Sequence, residues 1–289
     1  MRKIIERLLV FIIGIPAVYA LVFLFPQYNH LALNITVVIF SAIGALEFSF
    51  MLEKKNIKVP KFEAVILGSL APLAALIMVS LSKPGIIIGI IILSGILWAL
   101  LSSIFTKKEN MDGIINRFTG YISVMVYPGF FMLWLILMSR WDSSAAIFLF
   151  LLIVFFNDSA AWLFGNLFGK NNRGLIPVSP NKSIAGFIGG MIGSIAAVAI
   201  ALHFFPNAFI GSIVLNSNLM IIGILLGFLT GIFASLGDLA ESAIKRSCEF
   251  KDSGNMILGR GGILDSIDSI AVAAPVYYLL YNAFLCNIG

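Results

Sequence analysis

Long apolar stretches alternate with short polar connections along the whole chain. Nine stretches come close to the roughly 20 residues that a helix needs to cross the hydrocarbon core of a bilayer. They cover residues 8–25, 31–52, 64–81, 85–105, 119–138, 145–168, 186–205, 218–236 and 267–285. Polar or turn-forming residues fill the gaps between them, as is typical of loops. The pattern predicts an all-α integral membrane protein with about nine transmembrane helices.

The basic residues predict the orientation of these helices. Alternate connections and termini, counted from the N-terminus, hold 17 and 2 of the 19 Lys and Arg residues. Because cytoplasmic loops of membrane proteins are enriched in Lys and Arg, the N-terminus is predicted to be cytoplasmic and the C-terminus to lie outside. The connections 169–185 and 237–266 then face the cytoplasm, and we expect a multi-pass protein of the inner cell membrane.

Composition supports the membrane assignment and excludes several classes of protein. Of the 289 residues, 60% are hydrophobic and 11% are charged, and the mean hydropathy is +1.03. Soluble domains carry about 25% charged residues. Disordered chains, disulfide scaffolds and soluble nucleic-acid-binding proteins are therefore excluded. The net charge of +5 is explained by the cytoplasmic excess of basic residues, so no nucleic-acid partner is expected.

Polar residues within the apolar stretches divide the chain into two parts. Residues 1–140 contain Glu47 and few other polar groups at membrane depth, and we interpret them as a transmembrane scaffold. Residues 141–289 hold most of the ionisable groups and are interpreted as the catalytic part, because such groups are costly in a bilayer. For Glu47, a functional carboxyl and a locally hydrogen-bonded one both remain open. Asp158 favours a polar pocket that opens to the cytoplasm over a purely structural hydrogen bond.

The connection 169–185 is basic and rich in turn-forming residues. Ser179 to Ser183 precede the next predicted span, where the N–H groups of a helix N-terminus favour an anion. Lys182 is well placed to contact a phosphate there. An ordinary cytoplasmic loop that ends in a helix cap explains the same residues equally well.

The connection between the last two stretches, from Gly237 to Ser269, has the strongest chemical signal. On a continuing helix, Asp238, Glu241 or Ser242, and Lys245 share one face. Carboxylates without His or Cys suit Mg²⁺, which proteins often bind together with substrate phosphates. A salt-bridged interfacial loop is the alternative.

Two further features of this connection also favour the binding of Mg²⁺ and phosphate. Asp265 and Asp268 are spaced i, i+3 at the start of the last stretch, where we expect Asp265 to be partly hydrated. Gly259, Gly261 and Gly262 would allow the backbone to approach a phosphate closely.

These motifs resemble those of the phosphatidate cytidylyltransferases. The C-terminal signature of that family is similar to GDLAESAIKR at 237–246, KD at 251–252, GRGG at 259–262 and DSID at 265–268. Upstream, NDSAAWLFGNLFGK and SPNKSIAG are similar to two further family motifs. The motifs follow the order of the family and cover about a third of the chain.

The resemblance implies transfer of the cytidylyl group of CTP to phosphatidate, giving CDP-diacylglycerol and pyrophosphate in phospholipid synthesis. CTP, phosphatidate and membrane lipids are the implied partners, Mg²⁺ is the implied cofactor, and the sequence is compatible with a homodimer. The implied catalytic residues are Asp238, Asp265, Lys245 and Arg246. The implied substrate-binding residues are Ser179, Lys182, Ser242, Lys251, Asp252, Arg260, Gly261 and Gly262. The implied metal ligands are Asp238, Asp265, Asp268 and Asp158.

Three departures from the family pattern bear on the assignment, and at a fourth position Leu258 replaces a Pro. Arg260 replaces a His, Ser266 replaces an Arg, and Ala185 replaces a Glu. A divergent CTP-dependent lipid or polyprenol kinase and a non-catalytic scaffold therefore remain as alternatives. A transporter is disfavoured because the polar residues gather at one membrane face rather than at the midplane.

Overall fold

The described part of the chain is almost entirely helical. The structure is a computed structural model, which describes residues 13–104, 111, 113–141, 143–174, 176–209, 218–257, 259 and 261–286. Within these residues the helices are α1 (Ile13–Leu24), α2 (Gln27–Glu53), α3 (Lys61–Ser80), α4 (Ile86–Ile104), α5 (Ile114–Trp141), α6 (Ser144–Phe168), α7 (Ile184–Phe204), α8 (Asn218–Ser247) and α9 (Leu264–Tyr281).

The helices match the predicted membrane spans. Helices α2 to α9 are long and apolar enough to cross a membrane, and α1 is a shorter apolar helix. The prediction of an all-α membrane protein is therefore confirmed, with a number of spans close to nine. Of the first predicted span, residues 8–12 lie outside the described residues. The orientation of the two termini stays a prediction.

The chain forms two compact units. The first unit comprises Met1–Arg140 and Lys245–Ile267, and the second comprises Trp141–Ile244 and Asp268–Gly289. Each unit thus combines consecutive helices with one segment that arrives from further along the chain. The assignment of residues 1–140 as scaffold and 141–289 as catalytic part stays a prediction.

Close backbone contacts hold α2, α3 and α5 together in the first unit. Pro128 lies within a π-helical turn of α5, Met125–Phe130, because proline has no N–H with which to continue the α-helical pattern. The Ser41 hydroxyl donates to the carbonyl oxygen of Gly68 at 2.8 Å and also contacts the carbonyl of Pro128. A side-chain hydroxyl can thus satisfy a carbonyl that an irregular membrane helix leaves free.

Small residues and one buried amide join the helices of the second unit. Gly193 of α7 lies so close to α6 that an added Cβ would be 2.6 Å from the carbonyl oxygen of Phe156, and small residues allow such approaches in membrane helices. The Asn157 amide donates to Ser235 Oγ at 3.0 Å and accepts from Ser194 Oγ at 3.3 Å. Asn157 thereby ties α6 to both α7 and α8.

Candidate active site

Helix α8 ends in a turn that presents basic side chains. It continues as a single helix to Ser247, as the sequence predicted for this segment. Glu249 adopts a positive φ of 65°, and the Phe250 N–H donates to the carbonyl oxygen of Lys245 at 2.8 Å. Such a left-handed residue is a common way to end a helix. Lys245 and Arg246 therefore lie in the last turn, where the helix dipole favours cations.

Gly261 and Gly262, just before α9, lie against Asp265. Ile257 and Gly261 exchange backbone hydrogen bonds of 2.7 and 3.0 Å, which closes a tight turn. Gly261 has a φ of +117°, and an added Cβ would collide with Oδ2 of Asp265. Only glycine fits this position, for both conformational and steric reasons.

Asp265, in the first turn of α9, accepts hydrogen bonds on both carboxylate oxygens. Oδ2 accepts from the Gly262 N–H at 2.7 Å and from the Ser253 N–H at 2.8 Å, and the Ser253 hydroxyl lies 3.0 Å away. Oδ1 forms an ion pair of 2.5 Å with Lys245 Nζ. The Asp265 side chain is only 6% exposed, although the residue as a whole is half-buried, so its carboxylate is less exposed to water than the sequence predicted. Hydrogen bonds to an ionised carboxylate are about twice as strong as neutral ones, so these donors hold Asp265 firmly in place.

Glu47 of α2 holds the same segment from the other side. Its carboxylate accepts from the Ile263 N–H at 3.0 Å, from the Leu264 N–H at 2.8 Å and from the Ser253 hydroxyl at 3.0 Å. The first N–H groups of a helix have no partner within the helix. Glu47 provides that partner for α9, so its carboxyl is hydrogen-bonded to residues more than 200 positions away, and both alternatives for this residue remain open.

A second ion pair lies in the second unit. Lys182 Nζ is 2.7 Å from Asp238 Oδ2, and both side chains are partly exposed. The neighbouring Ser183 caps α7 by accepting from the Gly186 N–H at 3.0 Å. The helix cap that the sequence left as one interpretation of residues 179–185 is therefore present. Binding of a phosphate by Lys182 stays a prediction.

Acidic side chains gather around the buried Asp268, also in the second unit. Asp268 interacts electrostatically with Asp238, Glu241 and Asp158, and it is 5% exposed. The Ser269 N–H donates to Asp268 Oδ1 at 2.6 Å, and the Ser269 hydroxyl lies 3.4 Å from Asp158 Oδ1. Grouped carboxylates repel one another, so this arrangement favours the approach of a cation.

The donor chemistry of these carboxylates fits Mg²⁺. Among the described residues, no three His, Cys, Asp or Glu side chains form a ready-made metal cage. Mg²⁺ commonly uses one or two carboxylates together with water and substrate phosphates. A set that supplies only carboxylate oxygens therefore fits this ion better than it fits Zn²⁺, which favours Cys and His.

The remaining predicted residues lie in several places. Ser179 begins the turn before α7, where the Lys182 N–H donates to its carbonyl oxygen at 3.0 Å. Ser242 is half-buried in α8. Lys251 and Asp252 are exposed, a few residues after α8 ends at Ser247. Arg260 lies outside the described residues.

The structure brings some of the predicted residues together within each unit. Asp265 contacts Lys245, Gly262 and Gly261 in the first unit. In the second unit, Asp238 pairs with Lys182 and lies within electrostatic reach of Asp268. Asp238 and Asp265 belong to different units, so their expected convergence on one metal site stays a prediction.

Two residues of the site had no clear signal in the sequence. In the sequence Glu47 is an isolated carboxyl at membrane depth, and Ser253 belongs to no charged or glycine pattern. They are 206 positions apart, and their side chains are hydrogen-bonded. The useful signal is the cost of a carboxyl at membrane depth, because such a group requires a partner from elsewhere in the chain.

Cys248 provides a test of how tightly the end of α8 is packed. Burial raises the pKa of the Cys248 thiol, and the thiolate is the form that reacts. In a Cys286→Ser background we expect iodoacetamide to modify the folded protein several-fold more slowly at pH 7.5 than the SDS-unfolded protein. The rate should rise at a higher pH than for an ordinary cysteine. Equal rates in the two states would show that the thiol is accessible.

The sequence of this chain is similar to those of known proteins. Residues 5–284 match the model of a family described as the cytidylyltransferase family. A phosphatidate cytidylyltransferase of Staphylococcus haemolyticus is 41% identical over 143 residues, which are 49% of this chain and 51% of that protein. One from Haemophilus influenzae is 40% identical over 131 residues, which are 45% and 43% of the respective chains.

The alignments thus span about half the length of these curated relatives. The family match is much longer, since it includes nearly every residue from the first apolar stretch to the last. On this match, the chain belongs to the cytidylyltransferase family.

Proposed function

We propose that this protein transfers the cytidylyl group of CTP to phosphatidate, giving CDP-diacylglycerol and pyrophosphate in phospholipid synthesis. The observation that carries the proposal is the Lys245–Asp265 pair, which is held by Ser253 and Gly262. It organises the motif that most resembles the phosphatidate cytidylyltransferases, in a chain of the cytidylyltransferase family.

The proposed reaction exchanges one phosphorus–oxygen bond for another. An oxygen of the phosphatidate phosphate attacks the α-phosphorus of CTP, and the bond from that phosphorus to the β-phosphate oxygen breaks. Both reactants are anionic, so the protein must offset repulsion as they approach and stabilise the charge that develops on pyrophosphate.

The basic residues of the motifs supply cations for this purpose. Lys245 is the best positioned, because Asp265 fixes its ammonium group and its side chain is only 12% exposed. A cation held in place before the substrate arrives stabilises developing charge without further reorganisation. Arg246 and Lys251 are exposed in the same unit, and Lys182 belongs to the second unit. We assign these three to the binding of substrate phosphates.

Mg²⁺ is the proposed cofactor, and Asp238, Asp265, Asp268 and Asp158 are the residues that would hold it. When bound, Mg²⁺ neutralises triphosphate charge and stabilises the leaving pyrophosphate. The electrostatic interaction of Asp268 with Asp238, Glu241 and Asp158 supports this assignment, because a cation would relieve repulsion between the carboxylates.

The proposed site faces the cytoplasm from the cell membrane. CTP is a cytoplasmic nucleotide, and the split of basic residues predicts connections 169–185 and 237–266 on that side. Phosphatidate can remain in the inner leaflet while its phosphate reaches the site. A homodimer is compatible with this proposal.

A lipid-labelling assay tests the proposed substrates. Purified protein in detergent is incubated with cytidine-labelled CTP, Mg²⁺ and phosphatidate, and the organic phase is counted. We expect label in the lipid phase only when phosphatidate is present. A protein that transfers no cytidine label, but phosphorylates a polyprenol with CTP, would establish the kinase alternative instead.

A further inference from the structure

Glu47 links the transmembrane helix α2 to the proposed reaction. We propose that Glu47 is a positioning residue for cytidylyl transfer, which acts through Ser253 and Asp265 to fix the ammonium group of Lys245. This inference rests on the proposed function, and it adds a residue that lies outside all the motifs at 157–186 and 237–268.

The contacts of Glu47 lie on the segment that carries the site. Its two oxygens accept from two consecutive backbone N–H groups at the start of α9, those of Ile263 and Leu264, and from the Ser253 hydroxyl. The residue is 7% exposed. Buried hydrogen bonds to a carboxylate resist opening, so this end of α9 is anchored to α2.

Two glycines of the segment are packed against the same carboxylate. An added Cβ at Gly254 would lie 2.5 Å from Glu47 Oε1, and one at Gly262 would collide with Oε2. Such short distances mean that the backbone packs directly against the carboxyl group. Side chains larger than glycine would therefore displace Glu47 at both positions.

The Ser253 hydroxyl joins Glu47 to Asp265. Its oxygen lies 3.0 Å from Glu47 Oε2 and 3.0 Å from Asp265 Oδ2. Asp265 Oδ2 also accepts from the Ser253 and Gly262 N–H groups, which leaves Oδ1 directed at Lys245. A shift of the segment at Glu47 is therefore transmitted to the Lys245 ammonium through two hydrogen-bonded side chains.

Replacing Glu47 by Gln would disturb this chain of contacts while keeping the side-chain volume. A glutamine has one oxygen, so its NH₂ group must face either the Ile263 N–H or the Leu264 N–H, and two donors then oppose each other. We expect kcat to fall on the order of 10- to 100-fold, because small misplacements of a catalytic group cost that much. The KM for CTP should change less than about threefold, since the exposed Arg246 and Lys251 are unaffected.

The experiment compares wild type, Glu47→Gln and Gly254→Ala with a matched control. Glu53→Gln changes a carboxyl on the same helix that is exposed at its end, and it should behave as wild type. Gly254→Ala displaces the Glu47 carboxylate without altering it, and it should give the same loss of kcat. For each protein, kcat is calculated from the amount of folded, monodisperse protein. Hydrogen exchange of the peptide that covers residues 253–265 is measured by mass spectrometry.

The outcomes separate the positioning role from the proposed function. Faster exchange at 253–265 together with lower kcat, in either Glu47→Gln or Gly254→Ala, supports the positioning role. Faster exchange with unchanged kcat would show that Glu47 only anchors the fold. Unchanged exchange would show that Glu47 does not hold residues 253–265 in place. Either result overturns the proposal. A wild-type protein without cytidylyl transfer would instead overturn the proposed function.

Discussion

The Asp265→Asn variant is expected to lose cytidylyl transfer by at least about a hundredfold while it remains a folded membrane protein. Asp265 accepts from the Ser253 and Gly262 N–H groups on Oδ2 and from Lys245 on Oδ1. An asparagine must turn its NH₂ group either toward the Lys245 ammonium or toward the backbone N–H groups. In either orientation the asparagine NH₂ group opposes another hydrogen-bond donor. The ammonium group of Lys245 is then no longer held in one position.

The variant is expected to be less stable as well as less active. Removing one partner of a buried ion pair lowers the free energy of unfolding by about 3–5 kcal/mol, mainly because the other charge is left without compensation. Loss of a single preorganised group at a phosphate or oxyanion site lowers kcat by about 10²–10³. If Asp265 also holds Mg²⁺, loss of its charge weakens that site as well.

The measurement is the initial rate of lipid labelling at saturating CTP, phosphatidate and Mg²⁺, with folding checked by size-exclusion chromatography. Glu249→Gln is the matched control, since Glu249 is exposed and forms a surface ion pair with Lys55 at 3.3 Å. It should retain near-normal turnover. Near-normal turnover by Asp265→Asn would remove Asp265 from the mechanism.

The second large effect is expected for Lys245→Met, which should lower kcat by about a hundredfold or more. Methionine keeps much of the length and apolar contact of lysine but has no charge. The Asp265 carboxylate would keep its donors on Oδ2 and lose the cation on Oδ1. Substrate phosphates would then meet an uncompensated negative charge at the place where the protein now offers an ammonium group.

An exposed pair provides the control for Lys245. Lys55 and Glu249 form an ion pair in the same unit with side chains 40% and 68% exposed. Exposed pairs of this kind are worth about 0–1 kcal/mol. Lys55→Met should therefore leave both kcat and thermal stability close to wild type. Comparable losses in Lys55→Met and Lys245→Met would point to a general charge effect rather than a positioned cation.

Much of the fold could be predicted from the sequence because the bilayer imposes a simple rule. A membrane helix must be apolar over about 20 residues, so each span from α2 to α9 appears as a separate apolar stretch. Even Asp158 does not interrupt α6, which continues from Ser144 to Phe168. The helix of residues 218–247 was also predictable, because carboxylates and Lys245 recur with helical spacing.

The contacts of the site could be predicted only in part. The motifs identified Asp265 and Lys245 as important, but not as partners of each other. Lys245 and Asp265 are 20 positions apart, and the positive φ of Glu249 and of Gly261 and the hydrogen bond from Ile263 to the distant Glu47 contribute to their approach. Hydrophobic pattern carries no information about such polar contacts, since they depend on distances between individual atoms.

The exposure of Asp265 shows the same limit. Its position at the start of a span suggested contact with water, because helix ends lie near the membrane surface. Ser253 and Gly262 approach its carboxylate instead, and their N–H groups take the place of part of its hydration. A loop that folds back over a helix end cannot be recognised from local sequence, since its own residues are mostly small and polar.

The proposed chemistry is tested most directly by following two phosphorus atoms of CTP. Purified protein is given phosphatidate, Mg²⁺ and CTP labelled with ³²P at either the α- or the γ-position. Cytidylyl transfer predicts that α-label enters the lipid phase and that γ-label leaves in pyrophosphate, which inorganic pyrophosphatase converts to phosphate. Entry of γ-label into the lipid, with release of α-labelled CDP, would contradict the account and establish a CTP-dependent kinase.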